Sequence, residues 1–102
     1  MAEFVEVAKT EDLKSGEAKV IKVKGKQYAL YNVDGKFYAT QNECPHKKGP
    51  LGEGSFDGKV IICPWHGAMF DVTTGKVLEG PAETDIRTYE VKVKDGKIFL
   101  KA

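Results

Sequence analysis

The chain has 102 residues, 16 basic and 15 acidic side chains, a net charge of +1 and 41% hydrophobic residues. That length holds one domain with a modest core and excludes two large catalytic domains. Charges of both signs are interspersed in short runs such as "KVKDGK", which argues against a nucleic-acid stripe and a polybasic membrane patch.

Taken in chain order, alternating apolar and polar residues predict short strands rather than helices. They fall at "FVEVA" (4–8), "AKVIKVK" (18–24), "QYALYNV" (27–33), "KFYAT" (36–40), "KVIIC" (59–63), "TYEVKVK" (88–94) and "KIFL" (97–100). Between the first two strands, "TEDLKSGE" is the one helical candidate, with Thr10 expected to cap a single turn and Gly16 to stop it. Asp34-Gly35, Asp57-Gly58 and Asp95-Gly96 are each expected to close an antiparallel hairpin, because Asp-Gly tolerates the positive φ angles of tight turns. From about residue 42 to 82 the texture changes: all four prolines and seven of the eleven glycines fall there. This predicts a loop-rich site region inserted between a first base segment, 1–41, and a second, 83–102, in a single all-β domain. The expected architecture is a small antiparallel sandwich or open barrel carrying a compact metal-binding subdomain at one end.

That inserted region holds both cysteines and both histidines, within a window of 23 residues. Cys44 and His46 stand in "CPHKKG", and Cys63 and His66 in "CPWHG", sixteen residues after the first pair. Thiolate and imidazole are the ligands proteins offer to zinc and iron, and four of them suit either one tetrahedral zinc or two sulfide-bridged irons. In each loop a proline limits flexibility and a glycine permits close backbone approach. Two such loops can aim amide N–H groups at bridging sulfides, which a lone zinc lacks. A disulfide is the poorer reading, since a reducing cytosol disfavours it and each cysteine arrives with its own histidine.

The run "CPH…CPWHGAMFD" resembles the Rieske [2Fe–2S] site. The resemblance implies a Rieske-like antiparallel β fold, with Cys44 and Cys63 holding the inner iron and His46 and His66 the outer, exposed one. It also implies that Gly80-Pro81-Ala82 forms a proline-containing loop over the cluster. Membrane-type relatives in quinol-oxidising complexes carry an extra cysteine in each ligand loop, bridged to each other; here Gly49 and Trp65 occupy those places. Where those relatives present serine and tyrosine hydroxyls to the cluster sulfurs, this chain has Ala68 and Phe70. Loss of two donors lowers the expected potential, while two neutral imidazoles in place of thiolates raise it. The net expectation is the low end of the Rieske range, roughly −150 mV. Each imidazole keeps a free N–H, so the potential is expected to fall as pH rises through the pKa values of His46 and His66 in the oxidised state.

No Gly-rich nucleotide fingerprint is present, and no histidines remain for a mononuclear iron site. The resemblance therefore implies an electron-transfer protein rather than an enzyme: a ferredoxin between a flavin-dependent ferredoxin reductase and a terminal oxygenase, expected to be monomeric and, from its lack of long apolar runs, cytoplasmic. Lys47, Lys48, Leu51 and Trp65 lie nearest the histidine tip and are the expected contact residues, Trp65 alternatively packing over the cluster as a water shield. Three other readings compete: a small Rieske-like component of a nitrite reductase, a structural zinc-binding interaction module, and a cysteine–histidine nucleophilic enzyme. The longest apolar runs are too short to cross a bilayer, and the N-terminal segment has no apolar signal core.

Overall fold

The computed structural model describes residues 4–45, 49–65, 67–80 and 84–101. The strands are β1 (Phe4–Lys9), β2 (Ala18–Val23), β3 (Lys26–Val33), β4 (Lys36–Gln41), β5 (Ser55–Asp57), β6 (Val60–Ile62), β7 (Met69–Asp71), β8 (Val77–Glu79), β9 (Thr88–Tyr89), β10 (Val91–Lys94) and β11 (Lys97–Lys101). They form three antiparallel sheets, ordered β1-β11-β10, β2-β3-β4-β9 and β5-β6-β7-β8.

The two-residue period of β3 explains how the sheets are layered. Tyr28 and Leu30 enter one core with Leu13, Ile21, Ile98 and Leu100, toward the β1-β11-β10 sheet. Ala29 and Tyr31 enter the other, with Cys44, Leu51, Ile61, Cys63, Phe70 and Ile86. The middle sheet is thus buried on both faces, which is why β3 is an almost unbroken buried run.

Asp34-Gly35 and Asp95-Gly96 adopt the paired positive φ angles expected of them and close β3–β4 and β10–β11. The third turn sits one residue later than predicted: Asp57 is the last residue of β5, paired with Val60, and Gly58 has the positive φ. A fourth tight turn, Lys24-Gly25 (φ 51° and 83°), joins β2 to β3 without an Asp-Gly signal.

Three other expectations are corrected. The helical candidate is only a 3₁₀ turn, Thr10–Asp12, whose N-cap is Lys9 rather than Thr10. The Lys9 N–H donates to Asp12 Oδ2 at 3.1 Å, while the Thr10 hydroxyl turns away to Gly96 O. The run 88–94 is two strands, because the chain leaves the middle sheet after Tyr89, opposite Ala39, and enters the outer sheet at Val91, opposite Leu100. Finally, the region 42–82 is less loop-like than its glycine content suggests, since it contains the whole β5-β6-β7-β8 sheet.

Candidate metal centre

Two loops lead into this centre. The first leaves β4 and returns through Pro50 to a 3₁₀ turn, Leu51–Glu53; the second joins β6 to β7. They are closed the same way. The Cys44 N–H donates to Gly49 O at 2.9 Å and the Cys63 N–H to Ala68 O at 2.8 Å, so each cysteine is tied to the carbonyl five residues ahead. The similarity of "CPHKKG" and "CPWHG" in sequence therefore has a backbone counterpart. His46, Lys47, Lys48, His66, Pro81 and Ala82 lie outside the described residues.

Both thiols are free and buried, Cys44 at 0% and Cys63 at 2% exposure, in one apolar core with Ala68 and Phe70. Among the described residues no third His, Cys, Asp or Glu joins them. Burial pushes the Cys63 thiol above its ordinary value; the Trp65 backbone N–H opposes this, and the adjacent Cys44 side chain raises it further. Two neighbouring thiols in apolar surroundings become a dithiolate when metal charge replaces their protons, which is the donor set an iron or zinc ion needs.

Gly49 makes the close approach of the two loops possible. A Cβ there would stand 2.9 Å from Cys63 Sγ and 3.1 Å and 3.3 Å from Trp65 Cγ and Cβ. Position 49 thus faces position 65 across the two loops, where the sequence comparison put the missing disulfide brace. Trp65 is half-exposed, with the root of its ring against Gly49. Leu51, expected to contact a partner, is fully buried and belongs to the core beneath the loops. Ala68 and Phe70 are also fully buried, and neither carries a hydroxyl.

Two polar residues that anchor the centre were missed in the sequence. Asn42 marks only the start of the loop-rich region in the sequence, and its signal is the second of two adjacent amides, Gln41-Asn42, between an alternating strand and the Cys-Pro-His motif. Asp71 ends the "HGAMFD" run. Its Oδ1 accepts from the Thr73 N–H (2.9 Å) and hydroxyl (2.6 Å), and its Oδ2 lies 3.3 Å from Lys59 Nζ, bracing the β5–β6 hairpin against β7.

Residues 3–90 match the family described as "Rieske [2Fe-2S] domain". The chain is 41% identical over 98 residues to the "Naphthalene 1,2-dioxygenase/salicylate 5-hydroxylase systems, ferredoxin component" of Ralstonia sp, covering 96% of this chain and 94% of that protein. It is 37% identical over 97 residues to the "Naphthalene 1,2-dioxygenase system, ferredoxin component" of Pseudomonas putida, covering 95% and 93%. Among solved structures, the Sphingomonas yanoikuyae B1 ferredoxin superposes with a TM-score of 0.91 at 34% identity, over 98% of this chain and 99% of that one. A chain of the "Complex of reduced oxygenase and oxidized ferredoxin in carbazole 1,9a-dioxygenase" gives 0.92 at 34% identity, over 96% and 92%.

Proposed function

This chain belongs to the Rieske [2Fe–2S] domain family, and on that premise we propose that it is the ferredoxin of an oxygenase system, taking single electrons from a flavin-dependent reductase and delivering them to a terminal oxygenase. Its cofactor is a Rieske-type [2Fe–2S] cluster. In this reading Cys44 and Cys63 hold the inner iron and His46 and His66 the outer, on a unit spanning 42–82 that rests on a base of 1–41 and 83–102. When bound, the cluster supplies a one-electron couple.

The chain's own residues decide how that couple is used. The observation that carries the reading is the convergence of two buried, unbridged thiols from two loops of one design, beside a half-exposed tryptophan. Apolar neighbours exclude water from the sulfur side. Ala68 and Phe70 give the site no side-chain donor, which supports a low-potential carrier suited to feeding an oxygenase. Trp65 offers an apolar contact at the loops, the kind of anchor a small, quickly dissociating interface uses. The relatives named as ferredoxin components of dioxygenase systems support the choice of acceptor. A cytoplasmic location suits unbridged cysteines and a reductase-fed pathway.

The test begins with purified holoprotein, in which iron and acid-labile sulfide are expected in equal amounts, with an electron paramagnetic resonance signal that appears on reduction. Mixed rapidly with the oxidised terminal oxygenase of an aromatic dioxygenase, the reduced protein should reoxidise, and Trp65→Ala should slow that step roughly tenfold at sub-saturating oxygenase. A colourless protein holding one zinc, or a reduced protein that no oxygenase reoxidises, overturns the proposal.

A further inference from the structure

We propose that Asn42 is a positioning residue that holds the first ligand loop, and through it the Cys44 thiolate, in the geometry the cluster needs. The inference rests on the reading of Cys44 as a ligand.

Asn42 directly follows β4 and is 3% exposed. Its backbone carbonyl accepts the Leu51 N–H at 2.7 Å and its Oδ1 accepts the Gly52 N–H at 2.9 Å. One residue thus ties the outgoing end of the loop to two successive amides at the returning end. Its Nδ2 donates to Gln27 Oε1 at 3.3 Å, anchoring the same point to the start of β3. The amide orientation is determined by these partners: flipped, its NH₂ would oppose the Gly52 N–H, donor against donor. The returning end is anchored as well, because a Cβ on Gly52 would lie 2.6 Å from Val20 Cγ2 and 3.2 Å from the Val20 nitrogen. Both feet of the loop therefore rest on the middle sheet, one on β3 through Gln27 and the other on β2.

Cys44 lies two residues from Asn42 and has no freedom of its own in the core. A shift of the loop's feet displaces its side chain relative to Cys63 in the shared core, and presses Gly49 of the same loop toward the Cys63 sulfur. Outer residues that orient a ligand change the potential and the spectrum of the metal site as well as stability.

A matched control separates positioning from general stabilisation. Asn32 is also buried (5%) and has two side-chain bonds, donating to Leu13 O at 2.9 Å and accepting from the Gly35 N–H at 2.8 Å, in the base away from the ligand loops. Holoprotein carrying Asn42→Ala or Asn32→Ala should lose thermal stability to a similar degree. Only Asn42→Ala should shift the reduction potential, broaden the electron paramagnetic resonance lines and speed hydrogen exchange at the Leu51 and Gly52 amides by about tenfold. Asn42→Asp keeps the acceptor for Gly52 while losing the Nδ2 donor to Gln27, whose exposed amide can turn to donate instead, and should restore the Gly52 exchange rate and the wild-type spectrum. If Asn42→Ala gives no holoprotein, Asn42→Asp decides: a wild-type spectrum supports the role and failure to load overturns it. Asn42→Ala matching Asn32→Ala in potential, spectrum and exchange also overturns it. Iron and sulfide content of Cys44→Ala tests the underlying reading separately: retention of both would remove Cys44 from the ligand set and the proposal with it, whereas their loss leaves Asn42 to be judged on its own variants.

Discussion

A few residues shape the metal centre through how closely they let its two loops approach. A methyl group at Gly49 would press on the Cys63 sulfur and on the root of the Trp65 ring, and Cys63 cannot retreat far because it is buried and its N–H is tied to Ala68 O. Gly49→Ala is therefore expected to cost about 1–3 kcal/mol and to lower cluster loading severalfold; iron and labile-sulfide analysis reads the second effect and tryptophan fluorescence the displaced ring. Asp71 is governed by competing influences. Burial raises its carboxyl, but the Thr73 hydroxyl and N–H together with Lys59 outweigh burial and hold it below the ordinary value. Its stabilisation is complete above the unfolded-state value, near about pH 4, and vanishes as pH falls through the lower folded-state value. Asp71→Asn should cost about 1 kcal/mol at neutral pH, little of it from the ion pair because the Lys59 side chain is 61% exposed. In urea titrations this gap should close in acid; a gap independent of pH would contradict the assignment. The sequence points to Gly49 as a position of close approach, whereas the pairing of Lys59 with Asp71 depends on folding, which brings the β5–β6 turn onto the end of β7.

Turns account for most of the agreement between expectation and structure at the level of elements. Two Asp-Gly pairs adopt the positive φ angles they favour, and the hairpins close where predicted. Lys24 is the exception: it holds φ 51° without a side chain suited to it, since register across β2–β3 imposes the turn. Lys24→Asn should then stabilise the protein by roughly 0.5 kcal/mol, measured by chemical denaturation, as asparagine tolerates this region better. The division of 88–94 into β9 and β10 had no local signal. Alternation continues through Glu90, and the change of sheet is set by which neighbour, β4 or β11, has an open edge.

At the scale of the whole molecule, the middle sheet joins what the sequence presented as a base and an insert. Because β3 gives Tyr28 and Leu30 to one core and Ala29 and Tyr31 to the other, neither core can melt while the other stays whole. Cluster bleaching, followed by visible absorbance, and loss of sheet, followed by far-ultraviolet circular dichroism, should coincide in one transition. Leu30→Ala, in the core remote from the thiols, should destabilise the protein by about 3 kcal/mol and move both probes together. Bleaching well ahead of sheet loss would instead mean that 42–82 opens as an independent unit.

The sequence by itself determined the all-β class, most of the hairpins, and the family, because alternation, Asp-Gly turns and paired Cys-Pro motifs are local signals that need no partner to be recognised. The tertiary structure alone decided that Leu51 is buried while Trp65 is half-exposed, that 42–82 folds into a sheet, and that Asn42 ties both ends of the first loop. Those outcomes depend on contacts between residues distant in the chain, and the pattern of a single segment carries no record of what will be packed against it.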